Sequence, residues 1–227
     1  MQTLRFNPFN QIHKGLRALL YDTALLIQHT DFTDKEETGR TAARIRFVNE
    51  LFAHHARVED DLVFPMIASY APGIVADFES QHQTDHELSV TLEICLSRFG
   101  ETKSPEQDMA AGNELLQTFN SFLAFNVEHM KKEETVVNAV LWKHYTDAQL
   151  IGKTQEISAS LSMEEKLVHS AWMLKGSAVH EIVAWYRGIQ KGAPPFVFEN
   201  FCRLAESTLS PARWDRVKAH LELAVAS

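Results

Sequence analysis

The chain has 227 residues, 45% of them hydrophobic, which is enough for a real core because chains of this size bury roughly 70% of their unfolded surface. Charged residues make up 23%, an ordinary share that argues against a disordered chain. The balance is acidic, 22 Lys and Arg against 30 Asp and Glu for a formal charge of -8, and no Lys/Arg-rich stretch offers the basic face that binding a nucleic acid requires.

Period-two alternation is absent, while apolar residues recur at three and four along four long segments. These run from about Ile12 to Ile27, Ile45 to Ile67, Phe78 to Phe99 and Leu115 to Leu141. Thr33 and Asp34, followed by acids, predict a helix start. Ser69-Tyr70-Ala71-Pro72-Gly73 ends the second segment, and Ser104-Pro105-Glu106-Gln107 reads as a capping-box start for the fourth. Long helices with short connections favour antiparallel neighbours, so the fold class is all-α, an up-down-up-down four-helix bundle over residues 1–150. Beyond that the texture changes. Ser162-Met163-Glu164-Glu165, Pro194-Pro195 and Ser210-Pro211-Ala212 mark the starts of shorter helices. Residues 153–227 therefore read as a helical C-terminal extension of about four short helices, with Trp172, Trp185 and Trp214 as packing residues.

The 11 histidines are about twice the usual number for this length. Segment one carries His13, segment two His55 and Glu59, segment three His82 and His86, and segment four His129 and Glu133. Residues four apart sit only ~40° apart round a helix, so each pair projects from one face. That face is the inner one. On segment two the stripe is Val48, Leu51, His55, Glu59, Leu62, Met66; on segment four it is Leu115, Phe119, Phe122, His129, Glu133, Val136, Val140. Phe78, His82, His86 and Leu96 form the third stripe, and His13, Leu16, Leu20 and Ile27 the first. Buried imidazoles and carboxylates without partners cost several kcal/mol each, and a metal centre removes that cost. The N and O donor set suits iron, with carboxylates able to bridge two ions. A single surface pair at this spacing is the commoner meaning of His-x-x-x-Glu; three pairs centred in separate apolar stripes are not.

Four stretches carry a family resemblance: Ile12-His13-Lys14-Gly15-Leu16-Arg17, His54-His55-Ala56-Arg57-Val58-Glu59, His82-Gln83-Thr84-Asp85-His86 and His129-Met130-Lys131-Lys132-Glu133-Glu134. In order and helix assignment they resemble the hemerythrin-like family, also called the HHE cation-binding domain, over residues 10 to about 142. The resemblance implies two non-haem iron ions, oxo- or hydroxo-bridged, with His13, His55, Glu59, His82, His86, His129 and Glu133 as ligands and the two glutamates bridging. Glu134 is the reserve for Glu133, and His54 for His55, although only His55 has a carboxylate four residues on. The extension lies outside the resemblance.

Rival metal sites fail by spacing. Glu79-x-x-His82 is a single copy of a pair that ferritin-like centres need twice. Ala184 stands where a zinc protease beginning at His180-Glu181 requires its second histidine. His29, His144, His169, His180 and His220 read as surface or satisfied core residues. Counted against two six-coordinate irons, the seven ligands and a shared oxo or hydroxo bridge leave one position open for O2, or for NO, azide or peroxide, with Leu51, Phe78 and Phe122 as walls of a dry pocket. No nucleophile, phosphate loop or dinucleotide fingerprint accompanies the site. The expected function is binding or sensing of O2 or a similar small ligand. The alternatives are an oxidoreductase or iron-handling stress protein acting on peroxide or NO, and an interaction module in which the metal is a regulator or structural pin. On that last view residues 153–227 serve a homodimer or a protein partner.

Only Cys95 and Cys202 occur, which excludes a disulfide scaffold and a cysteine-built metal site. They read as free thiols of a reducing compartment. The N-terminus has no apolar core of signal-peptide type and no apolar run approaches the ~18 residues of a membrane span. The expectation is a cytoplasmic protein with no membrane and no nucleic-acid partner.

Overall fold

The computed structural model describes residues 5–222, and every regular element among them is helical. Helix α1 spans Asn10–His29 and α2 spans Lys35–Val58. Asp34 caps α2, its carboxylate accepting from the backbone N–H groups of Glu36 and Glu37. The chain passes from α2 through a π-helical turn, Glu59–Val63, into the short α3, Phe64–Ile67. Helix α4 is Pro72–Arg98 and α5 is Pro105–Lys132. Ser104 accepts from the N–H of Gln107 to start α5, while the Gln107 side chain takes the N–H of Lys103 rather than that of the cap residue. A second π-helical turn, Glu133–Val137, leads into α6, Asn138–His144, and α7 follows at Asp147–Ser160. The last four are α8 (Met163–Gly176), α9 (Val179–Gly192), α10 (Pro195–Thr208) and α11 (Pro211–Glu222).

The described residues form two compact units, one of residues 5–9 and 19–157, the other of residues 10–18 and 158–222. In the first, α4 packs along α5 and α2 packs on α4. Ile45, Val48, Leu51 and Phe52 of α2, Leu92 and Leu96 of α4, and Leu115, Phe119 and Phe122 of α5 are all buried. Phe52 meets Phe122 edge to face with centroids 5.4 Å apart. A second apolar cluster joins Val63, Phe64, Ile67, Phe78, Val137 and Leu141 to Phe9 and Leu150. The N-terminal strand of chain is tied over this cluster. Arg5 reaches Asp147 and the carbonyls of Trp142 and Tyr145, and the Trp142 indole N–H donates to the Phe6 carbonyl at 2.7 Å.

The π turns correct the inner stripes of the sequence reading. A straight α-helical projection puts Leu62, Met66, Val136 and Val140 inside. Instead Val63, Ile67, Val137 and Leu141 are buried, and Val136 is 41% exposed. The inward positions run 55, 59, 63, 67 and 129, 133, 137, 141. In an unbroken α-helix each step of four drifts ~40°, so three such steps would swing the last residue out of the core. The wider i→i+5 turn absorbs that drift. In the first case Pro65, which lacks an N–H, also deprives the preceding turn of an α-helical bond.

In the second unit α8 to α11 enclose Leu174, Ile182, Tyr186, Phe201, Trp214 and Val217. The Tyr186 hydroxyl donates to the Phe201 carbonyl at 2.7 Å, and burial pushes its phenol upward from the usual range. Trp185 packs against this core, and Trp172 and Trp214 are buried, so these indoles are packing residues. Ser162 and Glu165 form a reciprocal capping box at the start of α8. Residues 10–18 lie against α8, where glycines make the approach possible. A Cβ on Gly15 would fall 2.8 Å from the Met173 nitrogen, and one on Gly176 would meet the Lys14 carbonyl. Glu181 locks the same contact. It accepts from Asn10 Nδ2 at 3.0 Å, from Lys14 Nζ and from the Ala178 N–H at 2.8 Å.

Candidate metal centre

The two π turns begin at the two glutamates of the sequence motif, Glu59 and Glu133, each four residues after a histidine. π turns gather at functional sites because the wider turn re-aims side chains. Glu59 is 1% exposed and Glu133 is fully buried, with His55 and His129 at 8% and 5%. His55 Nε2 lies 3.1 Å from Glu59 Oε1, His82 Nε2 lies 3.5 Å from Glu59 Oε2, and His129 Nε2 lies 3.3 Å from Glu133 Oε1. Two ligands sharing an ion at bond lengths of ~2.1 Å sit ~3.0–3.4 Å apart, so the spacing is that of neighbouring metal ligands.

The donors fall into two groups that share both carboxylates. Glu59, His82, His129 and Glu133 offer atoms within 4.8 Å of one another, and so do His55, Glu59 and Glu133. Two carboxylates held that close in a buried space repel, and a cation between them relieves both the repulsion and the loss of hydration. The residues present therefore fit a bound metal cation.

The ring orientations agree with that fit. His82 Nδ1 sits 2.9 Å from Asp60 Oδ1 and His129 Nδ1 sits 3.2 Å from Gln81 Oε1. With an oxygen accepting from Nδ1–H, Nε2 presents its lone pair inward, the tautomer a metal needs. Burial works to lower the affinity of His82 for a proton, but the Glu59 and Asp60 carboxylates outweigh it and raise its pKa to about 9. The electrostatic field at this ring favours positive charge, whether a proton or a metal ion supplies it.

His86 is not brought to the cluster. It is exposed, whereas Asp85 beside it is buried at 7%. On α4 the buried residues Phe78, Asp85, Leu92 and Leu96 follow a heptad-like line. His82 lies ~40° to one side of Phe78 and His86 ~80°, which carries the second histidine into solvent. His13 is fully buried on α1, within the stretch that belongs to the second unit. His54 and Glu134 are half-buried, and neither joins a donor group.

Four polar residues around the site escaped the sequence reading: Asp60, Gln81, Asp85 and Asn126. Asn126 is 2% exposed and donates from Nδ2 to Asp85 Oδ1 at 2.6 Å and to the Phe122 carbonyl at 3.1 Å. Burial pushes the Asp85 carboxyl up, against the Asn126 hydrogen bond and the nearby imidazoles. Asp85 lay seven residues after Phe78, the one signal that could have exposed it as inward-facing. Next to the donors is a cavity whose apolar walls are Phe52 and Met130, with Ala56, Asp85 and Asn126 completing it. Leu51, Phe78 and Phe122 are buried but do not line it, and its lining is partly polar.

An all-helical protein with buried His and Glu groups able to hold metal ions is the class defined so far. The profile of the Hemerythrin HHE cation binding domain matches residues 7–141, and the chain belongs to that family. No curated protein and no solved structure matches the chain. No helix among the described residues is long and apolar enough to cross a membrane.

Proposed function

We propose that the chain is a non-haem di-iron protein that binds or senses O2 or a chemically similar small ligand such as NO. The observation that carries this reading is the sharing of Glu59 and Glu133 by two donor groups within 4.8 Å, the arrangement a pair of bridged ions requires. In this reading α1, α2 with α3, α4, and α5 with α6 form an up-down four-helix bundle. Residues 1–150 make the metal-binding part, and 153–227 are an appendage available to a protein partner or a second copy.

His55, His82 and His129 supply imidazole nitrogens and Glu59 and Glu133 bridge. His13 is added on its place in the family motif alone. Without His86, four imidazoles and two carboxylates leave more than one coordination position for exogenous ligands. Bound iron would supply a redox-active Lewis acid at those positions. Asp60 and Gln81 orient the His82 and His129 rings, and the buried walls Phe52 and Met130 limit water beside the donors. The two free cysteines support a reducing, cytoplasmic setting.

The test is metal analysis with optical spectra, first in deoxygenated buffer and then in air. Two irons per chain and a visible band that appears with O2 and reverses on its removal are expected. Two irons that oxidise once without reversible binding would instead favour peroxide, NO or iron-handling chemistry. No metal after anaerobic reconstitution would overturn the proposal.

A further inference from the structure

Outside the donor cluster, α2 and α4 leave a groove of about 540 Å³ between them. Three residues, Ala56, His82 and Asp85, line both this groove and the cavity beside the metal donors. They separate the open groove from the smaller space beside the donors. His82 and Asp85 are held rigidly there, His82 by Asp60 at 2.9 Å and Asp85 by Asn126 at 2.6 Å. The third residue is an alanine, the smallest side chain that still forms helix well, so position 56 puts the least side-chain bulk between the two spaces. Farther out the groove carries Glu50, Asp60 and Glu79 against Arg57. That lining is net acidic, and a cleft of one sign lowers the local concentration of like-charged solutes.

We infer that the α2–α4 groove is the access route to the metal cavity, that Ala56 sets its width, and that its acidic lining admits neutral few-atom ligands faster than anions. The inference rests on the metal-centre reading and adds to it a path and a selectivity. Ala56 contributes no donor atom and is half-exposed, so a larger side chain there narrows the path without removing a ligand of the metal.

The probes are azide, an anion, and NO, which is neutral, mixed rapidly with the iron-loaded full chain and with an Ala56→Ser, Ala56→Val, Ala56→Leu series. Iron content is measured first for every protein. The expected result is full iron content throughout, with association of both probes unchanged in Ala56→Ser and slowed at least tenfold in Ala56→Leu, Ala56→Val falling between. Raising ionic strength should speed azide association and leave NO unaffected, and Glu50→Gln with Glu79→Gln should speed azide at low salt. Iron-loaded Ala56→Leu that associates with both probes as fast as the wild type would overturn the access route while leaving the metal centre intact. An azide rate indifferent to salt and to the double substitution would overturn the selectivity. A wild type that holds no iron would overturn the metal-centre reading and the inference together.

Discussion

At the scale of single residues, the centre is organised by what each histidine ring does with its outer nitrogen. Asp60 and Gln81 take up Nδ1 of His82 and His129, which turns Nε2 toward the shared glutamates. His55→Ala and His129→Ala should each lower bound iron by at least half, read by metal analysis. His86→Ala, on the solvent side of α4, should retain the wild-type content. Equal iron loss in all three would return His86 to the ligand set. Glu181, in the second unit, provides a pH test unrelated to metal. Burial works to raise its pKa, but Asn10, Lys14 and the Ala178 N–H outweigh it and hold the carboxyl at about 2 against an ordinary 4.5. The folded state thus binds this proton less tightly than the unfolded one. Its contribution is complete above the unfolded pKa and is lost as pH falls toward about 2. Glu181→Gln should cost on the order of 1–2 kcal/mol at pH 7, the worth of charge-assisted hydrogen bonds. The gap between the two proteins in thermal unfolding should close below pH 4.5.

At the scale of elements, the π turns decide which side chains follow the glutamates into the core. Val137 is buried and its neighbour Val136 is 41% exposed. Val137→Ala should therefore cost about 1.5–3 kcal/mol and Val136→Ala no more than about 0.5 kcal/mol in chemical denaturation. The reverse order would mean an unbroken α-helix through the site. The pairs His55/Glu59 and His129/Glu133 were legible in the sequence because both members ride on one helix, where i,i+4 geometry is local. The run of fours at 55, 59, 63, 67 was equally visible, but a straight-helix projection missed the turn that the run imposes. The inward turn of Asp85 and the outward turn of His86 depend on how α4 is rotated against α2 and α5. No spacing within α4 states that rotation by itself.

At the scale of the molecule, residues 10–18 and 158–222 form one compact unit although about 140 residues separate them in the chain. Gly15, Gly176 and Glu181 are where that contact is made. Gly176→Val would drive a side chain into the Lys14 carbonyl. It should lower the melting temperature of the full chain by several degrees and speed amide exchange in residues 10–18, while protection in α5 is kept. Unchanged exchange in that stretch would refute the contact.

From the sequence alone came the all-helical class, the four histidine-bearing stretches, the family and the helix starts of the C-terminal part. Each of these is written in neighbours three, four or seven residues apart, where helix geometry ties spacing to direction. The tertiary structure alone decided that Asp85 faces inward in place of His86, and that Asp60, Gln81 and Asn126 hold the site. It also decided that the start of α1 belongs with the C-terminal helices. Those outcomes turn on how one helix is rotated and docked against another. That is settled by the summed burial of whole faces, a property no local stretch of sequence possesses.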